Sequence, residues 1–264
     1  MTTIIANAQP SKGHYANVNG LHMYYEVHGT GYPLVLIHGG GSTIGTTFGR
    51  ILGDLAKTSR VIAVEMQAHG HTKDIDRPLS FEQDANDIAE LLKQLQIEKA
   101  DFLGFSNGGS TAMQVAIRYP ELVRKVIVCS SFYKREGIYP QVWNFIESGT
   151  IETMPTQLKE AYLQINPDQK ALKAMHDRDR QRMVDFKDWT DASLKSIKAE
   201  TLLVIGDKDV VSPEHAAEMS RLIPNCKLSI LPGGHGEFLG EITVYKTDSS
   251  MPAIFTGLVQ EFLK

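Results

Sequence analysis

Four short segments of this chain are apolar at every position, instead of at every second position. They are residues 34–37 (LVLI), 61–64 (VIAV), 126–128 (VIV) and 202–205 (LLVI). A strand that is apolar on both faces is covered on both faces, which is typical of a mostly parallel sheet between layers of helices. These segments therefore predict an α/β architecture, with a doubly wound sheet and helices on both of its faces.

Local signals predict a helix and a hairpin around this sheet. Residues 81–96 carry apolar side chains at helical spacing, and Ser80 with Gln83 forms the pattern of a capping box at the helix start. Near the beginning of the chain, residues 14–18 and 21–27 flank an Asn-Gly dipeptide. This dipeptide favours a tight turn, so we expect a β-hairpin that leads into the sheet.

Residues 132–197 interrupt the alternation, because they contain helical patterns and no convincing strand. We expect a helical cap here, inserted into one core domain made of residues 1–131 and 198–264. Within the cap, residues 177–182 (DRDRQR) place opposite charges three positions apart. This spacing favours a solvated helix face over a binding patch.

Composition restricts the class of function. The net charge of −4 and the pI near 6.1 give no basic footprint for nucleic acid. No apolar run approaches the roughly 18 residues of a membrane span, and residues 1–7 lack the features of an export signal. Cys129 and Cys226 adjoin apolar runs, which indicates strand thiols instead of a disulfide. We expect a cytoplasmic protein with a small-molecule partner, leaving open export with a removed signal and a homodimer.

The pattern G-x-S-x-G occurs at residues 104–108 (GFSNG), between a strand-like run and a helix-like run. A serine at this junction lies on a sharp turn that brings two backbone segments close together, so small residues are needed on both sides. Gly104 and Gly108 meet that need. The hydroxyl of Ser106 is then presented to a substrate, which makes Ser106 the candidate nucleophile.

A serine hydroxyl needs a base to remove its proton and a third group to orient that base. Asp209 follows the predicted strand at 202–205, and His235 follows the apolar run at 228–231. The carboxyl ends of parallel strands share one edge of a sheet, so these side chains can converge on Ser106. The order Ser, Asp, His is the one expected for a nucleophile on this type of turn. Asp207 remains the alternative acid.

An oxyanion intermediate also needs preorganised hydrogen-bond donors. The glycines at 39–41 let a backbone N–H approach a substrate closely, and we select Gly40 as the donor, with the other two less favoured. The N–H of Asn107 is the second candidate donor. His38 is expected to brace this loop. The histidines at 69 and 71 lack acidic or cysteine partners at ligand spacing, so no metal and no organic cofactor is expected.

These motifs together resemble those of serine hydrolases with the α/β-hydrolase fold, over essentially the full length of the chain. The segments that carry the resemblance are residues 36–41, 104–109, 194–209 and 233–235. The resemblance implies that the second acid of Gly-Asp-Lys-Asp, Asp209, serves the triad, and it implies a cap just before the acid-bearing strand. It is closest to small capped esterases, lactonases and C–C bond hydrolases.

Two segments depart from that pattern. Residues 65–72 (EMQAHGHT) stand where similar proteins carry D-x-x-G-x-G-x-S, and only Gly70 is kept among those four positions. Residues 236–250, after the histidine, are longer than usual and receive no role. The first departure affects the expected substrate preference more than the expected catalysis.

The sequence leaves three functions open. The first is hydrolysis of a carboxylic ester or lactone through an acyl-enzyme intermediate. The second is cleavage of a C–C bond in a diketone or dienoate, and the third is a non-catalytic ligand receptor on the same fold. We expect Phe132, Trp143 and Trp189 to bind substrate under the cap. A carboxylate substrate needs a cation in the pocket, and Lys134 and Arg135 are the candidates.

Overall fold

Eight strands form one sheet in the computed structural model, which describes residues 13–264. The residues on which the expectation about an export signal rests lie outside this part of the chain. The strands are β1 (His14–Val18), β2 (Leu21–His28), β3 (Tyr32–Ile37), β4 (Ser59–Val64), β5 (Ala100–Phe105), β6 (Val123–Cys129), β7 (Glu200–Gly206) and β8 (Cys226–Leu231).

The sheet has the order β1-β2-β4-β3-β5-β6-β7-β8. β1 pairs antiparallel with β2, and β2 pairs antiparallel with β4, whereas every other neighbouring pair is parallel. The predicted mostly parallel sheet and the predicted N-terminal hairpin are both confirmed. The carboxyl ends of β3 to β8 therefore lie along one edge.

Ten α-helices surround this sheet in the described residues. They are α1 (Ile44–Phe48), α2 (Leu52–Leu55), α3 (Phe81–Gln94), α4 (Asn107–Arg118), α5 (Pro140–Ser148), α6 (Thr156–Ile165), α7 (Gln169–Val184), α8 (Asp191–Lys195), α9 (Pro213–Leu222) and α10 (Met251–Leu263). None of those within residues 13–264 is long and apolar enough to cross a membrane.

The apolar strands are covered on both faces, as the sequence predicts. In β3, Val35 and Ile37 belong to one buried cluster with side chains of α3 and α4. Leu34 and Leu36 belong to a second cluster with side chains of α1, α2 and α10. Successive strand residues point to opposite faces, so an unbroken apolar run is what two covered faces require.

The start of α3 differs in one detail from the capping-box prediction. The Ser80 hydroxyl accepts a hydrogen bond from the N–H of Gln83, at 3.1 Å. The Gln83 side chain does not return to the Ser80 backbone, because its amide donates to Asp87 Oδ1 at 2.8 Å. Only the N-cap half of the box is formed.

Helices α5 to α8 lie between β6 and β7, in the segment expected to form the cap. The division into a core and a cap over residues 132–197 stays a prediction. Both cysteines are free thiols, with Cys129 buried on β6 and Cys226 partly exposed on the edge strand β8.

Candidate active site

Ser106 lies on a strained turn between β5 and α4. Its backbone has φ +54° and ψ −119°, a conformation that side-chain-bearing residues rarely adopt. A Cβ added at Gly104 would lie 2.0 Å from the carbonyl oxygen of Gly108, and one added at Gly108 would lie 2.1 Å from the carbonyl oxygen of Ile37. Both glycines are therefore required by close backbone contacts, and the turn holds the Ser106 side chain at the carboxyl edge of the sheet.

The structure brings Ser106, His235 and Asp209 into one hydrogen-bonded chain. His235 Nε2 lies 3.1 Å from Ser106 Oγ, and His235 Nδ1 lies 2.7 Å from Asp209 Oδ1. The three residues follow β5, β8 and β7, which end at the same edge of the sheet. Asp207 makes a different contact, because its Oδ1 accepts the N–H of Gly233 at 2.8 Å. The geometry thus selects Asp209 over Asp207 as the partner of the histidine.

Asp209 is buried and accepts four hydrogen bonds. Besides His235, its Oδ1 accepts the N–H of Val210 at 2.7 Å, and its Oδ2 accepts Ser130 Oγ–H at 2.5 Å and the N–H of Gly206 at 3.1 Å. Burial alone would raise the pKa of Asp209, but the adjacent His235 and these donors hold the pKa below its ordinary value. The carboxylate is kept ionised and fixed in orientation.

Ser130 is a site residue that the sequence reasoning missed. It follows β6 directly, with φ +52°, and its N–H donates to the carbonyl oxygen of Val204 at 2.8 Å. This backbone conformation places the Ser130 hydroxyl within hydrogen-bond distance of the Asp209 carboxylate. The available signal was its position after a strand that ends at the same edge as β5 and β7.

The two predicted oxyanion donors have unengaged N–H groups. Within residues 13–264, neither Gly40 N–H nor Asn107 N–H makes a hydrogen bond, and both residues line the cavity beside Ser106. The N–H of Gly41 is engaged, since it lies 2.6 Å from Asp179 Oδ2. That of Gly39 has Thr47 Oγ1 at 3.5 Å. The choice of Gly40 from this loop stays a prediction, and it is compatible with these contacts.

His38 joins the glycine loop to the segment after β4. Its Nδ1–H donates to the carbonyl oxygen of Gly39 at 2.7 Å, and its Nε2 accepts the N–H of Met66 at 3.1 Å. Burial lowers the pKa of His38 to about 4, so the ring is neutral and can accept at Nε2. These two bonds hold the glycine loop against the segment after β4.

The histidines at 69 and 71 each pair with a carboxylate. His69 Nε2 lies 2.8 Å from Asp179 Oδ2, and His71 Nδ1 lies 2.9 Å from Glu65 Oε2. Across residues 13–264, no group of three or more His, Cys, Asp or Glu side chains is placed to hold a metal ion. Glu65 Oε2 also accepts the N–H of His71, at 2.6 Å. The Glu65 carboxylate thereby links the two ends of the segment at residues 65–72 that departs from the family pattern.

A cavity of about 350 Å³ opens beside Ser106 and His235, beneath α5, α6 and α7. Its walls are largely apolar, and the side chains that form them include Phe132, Val142, Phe145, Met154, Leu158, Met175 and Met183. The polar side chains in the lining include His176, Asp179 and Arg180 of α7. An apolar cavity with few polar groups, here next to the candidate nucleophile, is typical of a small-molecule site.

Of the three aromatic residues predicted to bind substrate, Phe132 lines this cavity, whereas Trp143 and Trp189 do not. Trp143 packs edge-on against Phe132, with ring centroids 5.8 Å apart, and its Nε1–H donates to the Arg135 carbonyl at 2.7 Å. Trp189 packs against Phe81, at 6.2 Å between ring centroids. Both indoles belong to the packing behind the cavity wall, and their predicted substrate contact is replaced by this role.

The cations expected from sequence also lie elsewhere. Lys134 Nζ is held by Asp191 at 3.0 Å and by Glu218 at 3.2 Å, and Arg135 pairs with Glu147 at 2.6 Å. Neither lines the cavity.

Arg180 of α7 is a cationic side chain that does line the cavity. One of its terminal nitrogens donates to the Glu147 carbonyl oxygen, while its buried Nε has no hydrogen-bond partner in the described residues.

The prediction of a solvated face at 177–182 is wrong for two of its residues, Asp179 and Arg182. Asp179 and Arg182 are 8% and 7% exposed and pair with each other. Asp177 is exposed, but its partner is Lys173 instead of Arg180. The spacing of charges along a helix does not reveal which face another layer covers, and α7 turns this face toward the core.

The chain is similar to known proteins in family and in sequence. The family model of the alpha/beta hydrolase fold matches residues 32–173. A 2-hydroxymuconate semialdehyde hydrolase of Pseudomonas sp. (strain CF600) is 31% identical over 210 residues, which cover 70% of this chain and 73% of that protein.

Two solved structures share the fold over nearly the whole chain. A meta-cleavage product hydrolase from Pseudomonas fluorescens IP01 has a TM-score of 0.75 at 24% identity, covering 95% of this chain and 97% of the other. An enol-lactonase from Burkholderia xenovorans LB400 has a TM-score of 0.73 at 24% identity, covering 95% and 99%. With a family match over more than half of its residues, the chain belongs to the alpha/beta hydrolase fold family.

Proposed function

We propose that this protein is a serine hydrolase in which Ser106 is the nucleophile, His235 the general base and Asp209 the residue that orients the base. The observation that carries the proposal is the continuous hydrogen-bond chain from Asp209 through His235 to Ser106. That chain ends in a cavity that Gly40 and Asn107 also line. The N–H groups of these two residues donate to no other group in residues 13–264. A nucleophile, a base and free donors at one point are the parts that acyl transfer needs.

The proposed reaction has two steps. His235 Nε2 takes the proton of Ser106 as Oγ attacks the substrate carbonyl carbon, and the N–H groups of Gly40 and Asn107 hold the oxyanion. The tetrahedral intermediate collapses, His235 returns the proton to the leaving group, and an acyl-enzyme remains. Water, deprotonated by His235, then attacks the acyl carbon, and Oγ leaves and recovers its proton.

A carboxylic ester or lactone of small to medium size is the substrate class that we favour. The apolar walls of the 350 Å³ cavity suit an acyl chain, and the enol-lactonase shares the fold. Burial of an acyl chain gains about 0.8 kcal/mol per CH₂ group. The optimum chain length should therefore report the depth of the cavity.

Hydrolysis of a C–C bond in a diketone or dienoate is the second candidate, and Arg180 favours it. A guanidinium in the cavity can pair with a substrate carboxylate, and the relative from Pseudomonas sp. carries the name of a semialdehyde hydrolase. A third reading, a ligand receptor with slow turnover, predicts binding without repeated catalytic cycles.

The choice between the two hydrolytic candidates is tested with two substrates and two variants. We compare p-nitrophenyl butyrate with a 2-hydroxy-6-oxo-dienoate in the wild type, in Arg180→Met and in Arg178→Met, a matched control on α7 whose guanidinium pairs with Asp74. An esterase should prefer the neutral ester in all three proteins. If the wild type prefers the dienoate by more than tenfold in kcat/KM and only Arg180→Met loses this preference, the C–C hydrolase function replaces the esterase function.

A further inference from the structure

Asp179 of α7 lies at the meeting point of the predicted cap and the glycine loop. Its Oδ2 accepts the N–H of Gly41 at 2.6 Å and lies 2.8 Å from His69 Nε2. Its Oδ1 accepts a hydrogen bond from Arg182. The carboxylate is thus held on both oxygens by groups that donate to it, and it stands in the cavity lining next to Gly40.

Neighbouring residues hold the glycine loop mainly by its carbonyl groups, since the Gly39 carbonyl oxygen accepts from His38 Nδ1–H at 2.7 Å and from the Ser42 N–H at 3.3 Å. Residues 39–41 carry no side chains, and Gly41 has φ +67°, in the left-handed region. Glycine has the widest range of backbone conformations of any residue, so contacts from other elements help such a loop to keep one backbone orientation. The bond from Gly41 to Asp179 is charge-assisted, which makes it stronger and more directional than a bond between neutral groups.

Asp179 is also close to the place where the proposed oxyanion forms. A Cβ added at Gly40 would lie 3.0 Å from Asp179 Oδ2. An unbalanced carboxylate at that position would repel an oxyanion. Two basic side chains face it: the Arg182 guanidinium donates to Oδ1, and His69 Nε2 lies 2.8 Å from Oδ2. The Gly41 N–H also lies 3.1 Å from His69 Nε2. Burial alone would lower the pKa of His69, but the charge of Asp179 and its hydrogen bond raise that pKa above its ordinary value.

The same cluster ties α7 to the rest of the core. Arg182 Nη1 donates to Asp84 Oδ2 of α3 at 2.7 Å, and Asp84 in turn lies 3.5 Å from the Thr111 hydroxyl of α4, the helix that follows the nucleophile. Asp84, Asp179 and Arg182 are all buried. Buried ion pairs of this kind tolerate little displacement, because a shift leaves a charge without its partner.

We propose that Asp179 is a positioning residue for the oxyanion hole: by accepting the Gly41 N–H, it turns the glycine loop so that the Gly40 N–H faces the reacting carbonyl. The hole is then formed only while α7 is seated on the core. The inference rests on the proposed function, since it assumes that Gly40 donates to an oxyanion. It adds a residue from the predicted cap to a machinery otherwise built on the sheet edge.

The test compares Asp179→Ala with Asp177→Ala, which removes a carboxylate from the exposed face of the same helix. The readouts are kcat and KM for p-nitrophenyl butyrate, and the inhibition constant of a trifluoromethyl ketone with the same acyl chain, which forms a tetrahedral adduct with the nucleophile. Removal of one oxyanion donor lowers kcat about 10²–10³-fold, so misplacing it should lower kcat about 10–100-fold in Asp179→Ala. We expect KM to change less than threefold, the inhibition constant to rise in parallel with the loss of kcat, and Asp177→Ala to match the wild type.

A folded Asp179→Ala with kcat within threefold of Asp177→Ala overturns the inference. So does a variant in which KM rises as much as kcat falls and the inhibition constant follows KM, because that pattern is a damaged pocket. If Asp179→Ala does not fold, Asp179→Asn decides by the same criteria. Asparagine keeps the size but offers one oxygen to donors on two sides. The proposed function fails separately, if Ser106→Ala retains wild-type activity.

Discussion

Replacing Asp209 by asparagine removes a carboxylate charge that lies 2.7 Å from His235 Nδ1. The proposed mechanism puts a positive charge on His235 each time the ring holds the proton of Ser106. Asp209 stabilises that imidazolium and keeps the proton of the neutral ring on Nδ1, so that Nε2 is free to accept. The asparagine variant is therefore expected to fold and to bind substrate, but to acylate slowly.

The size of the loss follows from the charge separation. Two opposite unit charges about 4 Å apart interact by about 4 kcal/mol at an effective dielectric constant of about 20. Each 1.36 kcal/mol changes a rate about tenfold, so loss of this term lowers kcat roughly 10³-fold. The Gly206 and Ser130 donors to Oδ2 compete for the single amide oxygen, and an NH₂ group turned toward His235 would favour the wrong tautomer. The expected total is about 10³–10⁴-fold.

The assay is kcat for p-nitrophenyl butyrate at pH 8, with Asp207→Asn as the matched control two positions away. Asparagine at 207 still offers an oxygen to the N–H of Gly233, so kcat should stay within about threefold of the wild type. The reasoning is refuted if Asp209→Asn keeps more than a tenth of wild-type kcat, or if the two variants lose activity equally.

Three further predictions follow from particular contacts. Gly104→Ala places a Cβ 2.0 Å from a backbone oxygen and should lower the free energy of unfolding in urea by more than about 3 kcal/mol, whereas Gly53→Ala meets nothing within 4 Å and should change it by less than about 1 kcal/mol. Ser130→Ala removes a hydrogen bond to Asp209 and should lower kcat about threefold to tenfold with KM unchanged; an unaltered kcat would contradict this role. Burial lowers the pKa of His38 from 6.5 to about 4, so the folded protein favours the neutral ring. The free energy of unfolding is therefore fully retained above pH 6.5 and falls by about 3 kcal/mol as the pH drops toward 4. Urea unfolding at pH 7 and pH 4.5 should show a smaller pH dependence for His38→Gln than for the wild type.

The sheet and the position of Ser106, the proposed nucleophile, on its sharp turn could be predicted because both depend on local sequence. An unbroken apolar run such as residues 34–37 has no solvated face to offer, so two covered faces follow from the run itself. The glycines on either side of Ser106 reflect contacts within a few residues. Asp209 and His235 could be placed because strand ends converge in this type of sheet, without any knowledge of side-chain orientation.

The residues contributed by the helices between β6 and β7 could not be predicted in the same way. The charge pattern around Asp179 is the same whether that helix face meets water or the core, and only the packing of α7 decides between them. Phe132 and Trp143 are both aromatic, yet Phe132 lines the cavity and Trp143 packs behind Phe132. Ser130 depends on a positive φ after a strand, which no residue type specifies.

The most direct test of the account is the initial rate of hydrolysis of p-nitrophenyl esters, from acetate to dodecanoate, by the wild type and by Ser106→Ala. Ser106 Oγ lies 3.1 Å from the base, so loss of this hydroxyl alone should reduce the rate to background while the wild type completes many turnovers. The chain length with the highest kcat/KM would then measure the cavity. A Ser106→Ala protein that hydrolyses these esters as fast as the wild type would contradict the central claim.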